Sequence, residues 1–285
     1  LKNTNNQLSS LMQNLVPNNL KNIIKNSKIW LRHRSQYTNL YHCCVHKTAS
    51  QWLQALFCDS RVYRYSGLKL CPNGQVRRGG YGIVETNSEK FPEKTIAGSL
   101  HISFENYLAI PKPDNYKTFF VMRDPRDIVI SNYFSVKYSH VPNGNILEQR
   151  QTLNNLSLTE GIIYTIEHLQ NWGLFAALDS WIDAPKKDPK VKLFKYEEIT
   201  AKNNFVVVQE LLHHCDIKMP DKTLEELLNY HSFVKKTKGR QQGEENQRSH
   251  FRKGIAGDWK TYFNEEIEAK FQQATRDLTK RLEYL

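Results

Sequence analysis

Cysteine is scarce in this sequence, and its placement marks no known kind of site. Five cysteines, an odd number, occur among 285 residues, and none shows the paired spacing of a zinc site. Cys43 and Cys44 lie inside an apolar run, where a buried free thiol is the ordinary interpretation. These features argue against a disulfide-stapled secreted domain and favour a reducing compartment.

Long apolar segments are missing as well. No stretch approaches the roughly 20 apolar residues that are needed to span a bilayer. The asparagine-rich start lacks the basic and then apolar pattern of a signal peptide. We therefore expect a soluble, cytoplasmic protein without a membrane partner.

Familiar phosphate-binding and metal-binding signatures are also absent. The Walker A frame, Gly-x4-Gly-Lys-Ser/Thr, does not occur, and no carboxylates are arranged to hold the Mg²⁺ of a nucleotide-dependent kinase. The histidine pairs at 42 with 46 and at 213 with 214 lack further ligand partners. The sequence thus argues against a kinase, and we expect no metal cofactor.

A net charge of +11 favours anionic partners but does not choose among them. Nucleic acid, an acidic membrane and a phosphorylated small molecule all suit that charge. No recognition helix or known nucleic-acid-binding motif occurs in the sequence. A basic nucleic-acid-binding module, with strongly salt-dependent affinity and no turnover, is kept as an alternative.

What is present is enough apolar surface for a folded core. Hydrophobic residues make up 39% of the chain and aromatic residues 11%. Within residues 1–35, apolar residues at helical spacing predict two short amphipathic helices: Leu8, Leu11, Met12, Leu15, Leu20, Ile23 and Ile24. We expect this segment to pack on the main domain, which occupies residues 36–285.

Two strand–loop–helix units and one further strand predict the fold class. Apolar runs at 40–45 and 118–122 have the length of buried strands, and each is followed by a turn and a helical segment. Asp124 is suited to cap the second helix and Pro125 to occupy its first position. With another strand at 191–196, the pattern indicates a single α/β domain with a central, mainly parallel sheet flanked by helices.

Ligands of such sheets bind beyond the carboxyl ends of the strands, where two of three candidate anion-binding segments lie. In the first, Lys47 offers a point charge beside a helix start, although a plain N-capped helix has the same pattern. In the second, Arg123 and Ser131 can converge on one anion, since helical side chains lean toward the N-terminus. Arg126 and Asp127 can instead form ordinary surface pairs.

The third segment, residues 251–259, reads Phe-Arg-Lys-Gly-Ile-Ala-Gly-Asp-Trp and has the composition of an anion clamp. Arg252 and Lys253 supply a guanidinium fork and an ammonium, while Gly254 allows close backbone approach. If all three segments serve one ligand, both ends of the chain belong to one domain.

In chain order, the three segments resemble those of the cytosolic-type sulfotransferases, over about residues 40–265. That family transfers a sulfuryl group from 3′-phosphoadenosine 5′-phosphosulfate (PAPS) to a hydroxyl or amine and leaves adenosine 3′,5′-bisphosphate (PAP). The resemblance implies a sulfotransferase domain with a P-loop-like phosphosulfate-binding loop, PAPS as cofactor and a small-molecule acceptor.

The family's first loop reads Lys-Ser-Gly-Thr-Thr-Trp, and Ala49 and Gln51 depart from it here. The resemblance implies that Lys47 stabilises the leaving oxygen and that the whole loop binds the cofactor: Lys47, Thr48, Ala49, Ser50, Gln51 and Trp52. It likewise implies a 3′-phosphate site formed by Arg123, Ser131, Arg252, Lys253 and Gly254, with Phe251 adjoining. Aromatic residues near adenine would be Trp52, Tyr196 and Phe233, although Tyr196 can equally be a packing residue.

By the same resemblance, His101 matches the family's catalytic base, although a lone histidine is ordinarily structural. The family has a lysine where this chain has Ser99, which leaves Lys47 with more of the charge stabilisation. That departure keeps open a second alternative, a sulfotransferase-like protein that binds PAP without catalysis.

Acceptor choice is expected to depend on the variable loops at 66–95, 135–160 and 235–250. The last of these contains no apolar side chain and is either a lid over the ligand or a solvated loop. The family's dimerisation pattern is only partly matched at 260–265, so the sequence does not decide between a monomer and a homodimer. The divergent first loop suggests specialised small-molecule biosynthesis.

Overall fold

A parallel sheet forms the centre of the protein. The computed structural model describes residues 30–72, Tyr81 and residues 90–284. In this part of the chain the strands are β1 (Asn39–Cys44), β2 (Lys69–Pro72), β3 (Thr95–His101), β4 (Tyr116–Met122) and β5 (Val191–Lys195). They lie in the order β2-β3-β1-β4-β5, and every neighbouring pair is parallel. The predicted α/β domain with a mainly parallel sheet is confirmed.

Helices connect the strands and cover both faces of the sheet. Between β1 and β5 lie α1 (Ser50–Phe57), α2 (Ser60–Arg64), α3 (Phe104–Leu108), α4 (Pro125–Phe134), a π-helical turn (Ser135–Ser139), α5 (Gly144–Asn154), α6 (Leu158–Asn171), α7 (Leu174–Ser180) and α8 (Ala184–Lys187). After β5 come α9 (Tyr196–Ile199), α10 (Phe205–His214), α11 (Asp221–Tyr230), α12 (Phe233–Lys236), a 3₁₀ turn (Asp258–Thr261), α13 (Glu265–Thr275) and α14 (Leu278–Arg281).

The sheet separates two apolar cores. Along β1, Leu40 packs with α1, α10 and α11, whereas Tyr41 and Cys43 pack on the opposite face with α4, α6 and α13. Phe119 and Phe120 divide in the same way along β4. Because successive side chains of a strand point to opposite faces, burial on both faces explains the continuous apolar runs of these strands.

An extra residue in β3 sets the direction of its carboxyl end. Tyr41 of β1 pairs with Ala97 and Cys44 pairs with His101, so three steps along β1 match four along β3. Ser99 lies in this bulge with a φ of 58°, in the left-handed region. The bulge turns His101 to the same face of the sheet as Cys44.

Two stretches differ from the sequence interpretation. The stretch 135–160, expected to be one of the variable loops, contains the π-helical turn, α5 and the start of α6. The segment Thr95–His101 is a strand, although its small residues did not predict one. The helices predicted within residues 1–35 fall on positions 1–29 and lie outside the described residues.

Candidate active site

Positive φ angles shape the loop between β1 and α1. Lys47 has a φ of 70° and Ala49 a φ of 63°, a conformation that costs roughly 1–2 kcal/mol for a residue other than glycine. Thr48 holds the loop by donating its hydroxyl proton to the carbonyl oxygen of Val45, at 2.8 Å. Ala49 is the N-cap of α1 and makes no side-chain cap. The alternative of a plain N-capped helix is therefore wrong, and the loop presents backbone N–H groups as an anion cradle does.

Positive charges converge on Lys47. Burial of its ammonium group, together with the nearby charges of Arg123 and Arg252, lowers the pKa of Lys47 to about 8. The loop after β1, the loop after β4 and the 251–259 segment thus bring one cation each to the same place. An anion bound among these three side chains would relieve their mutual repulsion.

Arg123 joins the first two of these loops. Its Nη1 donates to the backbone oxygen of Lys47 at 2.8 Å, and its guanidinium lies 3.9 Å from the ring centroid of Tyr196. The side chain is buried, and its Nε has no hydrogen-bond partner among the described residues. A buried donor of this kind is suited to an acceptor from a ligand. Tyr196 packs on Arg123, as one of its two interpretations expected.

Asp127 connects α4 to the 251–259 segment. Its Oδ2 accepts the backbone N–H of Gly257 at 2.7 Å, and its Oδ1 accepts that of Trp259 at 3.0 Å. The carboxylate is almost fully buried and lies 3.8 Å from the guanidinium of Arg123. Asp127 is therefore a structural anchor for the clamp rather than a member of a surface pair.

Arg126 is buried too, so the surface-pair interpretation is wrong for it as well. Its Nε and Nη2 donate to both carboxylate oxygens of Asp124, at 3.0 and 2.8 Å. The guanidinium lies 3.7 Å from the ring centroid of Trp259, on the tryptophan of the Gly-Asp-Trp run. Nothing in the sequence around Arg126 signals this contact, because Trp259 lies more than 130 positions away.

Carboxylates neutralise the cations of the clamp. Arg252 forms ion pairs with Asp258 and Glu245, and the Nζ of Lys253 lies 2.6 Å from Asp258. Burial opposes ionisation of Asp258, but the hydrogen bonds from Lys253 and Arg252 hold its pKa below the ordinary value. The guanidinium of Arg252 also lies 4.4 Å from the ring centroid of Phe134 at the end of α4.

Arg240 fixes the backbone of the clamp, and the sequence analysis missed it. Its Nη2 donates to the carbonyl oxygen of Phe251 at 2.6 Å, and its Nη1 donates to that of Arg252 at 2.9 Å. Within the polar 235–250 segment, Arg240 reads only as one of several surface cations. Its role depends on the fold of the segment, which loops back onto the clamp.

Close packing brings α12 against the clamp. Gly254 has a φ of 69°, and a Cβ at this position would lie 2.5 Å from the ring of Phe233. Trp52 reaches the same region, where its Nε1 donates to the carbonyl oxygen of His231 at 2.8 Å. Phe233 and Gly254 therefore pack together, and Trp52 is hydrogen-bonded to the turn that precedes Phe233.

His101 ends β3 beside the loop of Lys47. Its ring stacks on that of His46, with centroids 4.0 Å apart. On the same face, burial and the nearby His101 lower the pKa of His42 to about 3, which keeps His42 neutral. Ser99 has a structural role, because its hydroxyl donates to the backbone oxygen of Ser50 at 3.2 Å.

The remaining predicted site residues have weaker support. Ser131 lies on α4, partly exposed, one turn before Phe134. Gln51 lies in the first turn of α1 with an exposed side chain. The polar 235–250 segment does reach the site, because the pKa of His250 is lowered to about 4 by partial burial and then by the charges of Lys47 and His140.

No group of three or more His, Cys, Asp or Glu side chains in residues 30–72, 81 and 90–284 is arranged to hold a metal ion. Of the helices that the structure describes, none has the length and apolar character to cross a membrane.

Comparison with known proteins identifies the family. A family model described as the sulfotransferase domain matches residues 14–283. A search of curated proteins found no match to the chain.

Solved structures share the fold at low sequence identity. The chain is similar to a mouse sulfotransferase complexed with PAP, at 16% identity and a TM-score of 0.57, covering 88% of this chain and 91% of that one. It is also similar to retinol dehydratase with retinol and PAP, at 17% identity and a TM-score of 0.52, covering 91% and 86%. A second retinol dehydratase structure, with androsterone and PAP, gives 14% identity, a TM-score of 0.51 and coverage of 85% and 80%.

Proposed function

This chain belongs to the sulfotransferase family, and from that premise we propose that it transfers the sulfuryl group of PAPS to a hydroxyl or amine of a small-molecule acceptor. The observation that carries the proposal is the convergence of Lys47, Arg123 and Arg252 beside the end of β3, where His101 lies. Three cations beside an uncapped helix start suit a nucleotide with two separate anionic groups, and a neighbouring imidazole suits proton removal.

The residues present fit such a cofactor. The Nε of Arg123, which lacks a hydrogen-bond partner within the described part of the chain, needs an acceptor, and the Phe233 ring fills the space that any side chain at position 254 would occupy. We assign the 3′-phosphate to Arg123, Ser131, Arg252, Lys253 and Gly254, with Phe251 adjoining. We assign the phosphosulfate to residues 47–52, and the surroundings of adenine to Trp52, Tyr196 and Phe233. The complexes of the mouse protein and of retinol dehydratase with PAP support this choice of nucleotide.

PAPS supplies an activated sulfuryl group bonded to a phosphate oxygen. In the proposed in-line displacement, an imidazole nitrogen of His101 takes the proton of the acceptor hydroxyl or amine as the acceptor atom bonds to sulfur. The bond between sulfur and the phosphate oxygen breaks, and Lys47 holds the negative charge that develops on that oxygen. A positioned base commonly contributes about 10²- to 10⁴-fold in rate. No step calls for a metal ion.

Retinol dehydratase is solved with retinol and with androsterone, both small apolar molecules. Those ligands support a small organic acceptor for this chain as well. We place the reaction in the cytoplasm, as the free thiols suggest.

The test begins with calorimetric titration of the protein with PAP, with ATP and ADP as controls. We expect PAP to bind much more tightly than either control, since the 3′-phosphate contacts the clamp. Equal binding of ATP and PAP would overturn the proposal.

Transfer is then measured with PAPS labelled in its sulfuryl group and a panel of phenols, sterols and amines. We expect His101→Ala to lose transfer at least a hundredfold while its affinity for PAP stays the same. His213→Ala, which removes an exposed histidine of α10, is the matched control and should behave as wild type. PAP binding without transfer to any acceptor would instead favour the non-catalytic alternative.

A further inference from the structure

The proposed base has a second histidine against it. His46 stacks on His101 with 26° between the ring planes. Trp172 packs against His46 at 4.5 Å between centroids and is itself partly exposed. The cofactor-binding loop described above begins at Lys47, and the sequence considered His46 only as part of a histidine pair without further ligands.

Tyr81 contacts both the backbone and the ring of His46. The phenol oxygen accepts the backbone N–H of His46 at 2.8 Å and also contacts the ring Nδ1. The phenol oxygen has two lone pairs, so it can accept the Nδ1–H of His46 as well as the backbone N–H. His46 can therefore take up a second ring proton, on Nε2, and keep its contact with Tyr81. Tyr81 is almost fully buried, and burial raises the pKa of its hydroxyl, which keeps the phenol un-ionised.

We propose that His46, held by Tyr81, is a positioning residue for the transfer reaction, which fixes the ring of His101 by stacking and opposes its protonation. The inference rests on the proposed role of His101 as base. Two imidazolium ions cannot lie face to face at this distance without strong repulsion, so a proton on His46 excludes one from His101. The base would then stay available at lower pH than an isolated histidine would.

Other titratable groups lie around His46 and His101, but they do not take the position of His46 against the ring of His101. From β1 come His42, which is neutral, and Cys44, whose pKa is raised by burial. Lys47 adds a positive charge from the adjoining loop. His168 of α6 lies behind Trp172, at 6.2 Å between centroids, and burial lowers its pKa. The stacked partner of His101 in this set is His46.

The test is a pH titration of the histidine rings by NMR, in wild type and in His46→Phe. The signal of His101 is assigned by its loss in His101→Ala. Phenylalanine keeps the stacked ring but cannot carry a proton, so we expect the titration midpoint of His101 to rise by about one pH unit, a tenfold change in proton affinity. His46→Gln, which is neutral and unstacked, should raise it as well, and it is the second variant if His46→Phe does not fold. His213→Ala should leave the midpoint unchanged.

A second measurement tests the positioning by Tyr81. We expect a nuclear Overhauser effect between the rings of His46 and His101 that weakens in Tyr81→Phe, because only the hydroxyl is lost. An unchanged midpoint of His101 in both His46 variants, or an Overhauser effect of full strength in Tyr81→Phe, would overturn the inference.

The two proposals fail separately. These spectra need no acceptor and no turnover, so they report on His46 whatever the outcome of the transfer assay. If His101→Ala retains transfer, the proposed base is wrong even where the midpoint shifts. If that variant loses transfer but the midpoint does not move, only the role of His46 is wrong.

Discussion

At the scale of single residues, Lys47 links the site to pH. The pKa of this lysine is lowered to about 8, so the free protein loses the charge as pH rises through that value. A bound anion favours the charged form, and binding above pH 8 must therefore take up a proton. We expect the affinity for PAP to fall by up to about tenfold per pH unit above pH 8.

Calorimetry from pH 6.5 to 9.5 checks this expectation. Lys47→Arg is the matched variant, because a guanidinium stays charged throughout that range. Its affinity should be independent of pH above 7, where the phosphates are already ionised. A wild-type affinity that stays constant across pH 8 would show that Lys47 does not bind the nucleotide.

Two glycines of the clamp allow backbone strain and close packing to be separated. Gly254 and Gly257 both have positive φ, 69° and 77°, but a Cβ would strike Phe233 only at position 254. Alanine at either position strains the backbone to a similar degree. We expect Gly254→Ala to weaken PAP binding by about tenfold more than Gly257→Ala, as overpacking commonly costs about 1–3 kcal/mol. Equal losses in the two variants would mean that the contact with Phe233 is not needed.

At the scale of elements, Asp127 determines whether α4 and the clamp act as one unit. In Asp127→Asn, an amide NH₂ would face one of the two backbone N–H groups that the carboxylate now accepts. Hydrogen bonds to charged groups contribute about 1.5–3 kcal/mol, and we expect PAP binding to weaken by that amount. Limited proteolysis within 235–257 should become faster. Asp183→Asn, which alters an exposed ion pair, should change neither.

The same scale shows what the sequence alone could predict. β1 and β4 were predicted because they are buried on both faces and contain runs of apolar residues, whereas β5 was predicted although it is only partly buried. β3 was missed, since Ala97, Gly98 and Ser99 are small residues in and around a bulge. α5 was missed because it is exposed along most of its length, and only Leu153 of its side chains is buried.

For the site, residues that carry a charge within a local motif were predicted: Lys47, Arg123 and Arg252 converge as expected. The sequence did not predict the structural roles of Asp127, Arg240 and His46 in the site. Each acts through a partner distant in sequence, such as Tyr81 or Trp259. A buried acid in the apolar Ile-Val-Ile context of α4 was the one available signal, because such a carboxylate needs internal donors.

At the scale of the whole molecule, the proposed ligand would join segments about 200 positions apart. The segments 47–52, 123–131 and 251–254 would all contact it in the proposed complex, so binding should stabilise the domain as a single cooperative unit. At 100 times its dissociation constant, PAP should add about 2.7 kcal/mol to the free energy of unfolding. A thermal melt should show one transition that rises with PAP concentration.

ATP at the same concentration is the control, and it should leave the melting temperature almost unchanged. An unrelated single-stranded oligonucleotide at physiological salt should do the same. A rise with the oligonucleotide but not with PAP would instead support the nucleic-acid-binding alternative, which the net charge of +11 allows.

Because β3 contains an extra residue, the direction of the His101 side chain depends on how many residues precede it in the strand as well as on their type. With the present number of residues but even pairing from Ala97 onward, Leu100 would lie opposite Cys44 and His101 would point to the other face, away from Lys47. Insertion of one residue between Leu100 and His101 should therefore harm transfer more than deletion of Ser99, which removes the bulge but keeps His101 opposite Cys44. Among relatives of this protein, we expect the bulge and its extra residue to be present or absent together.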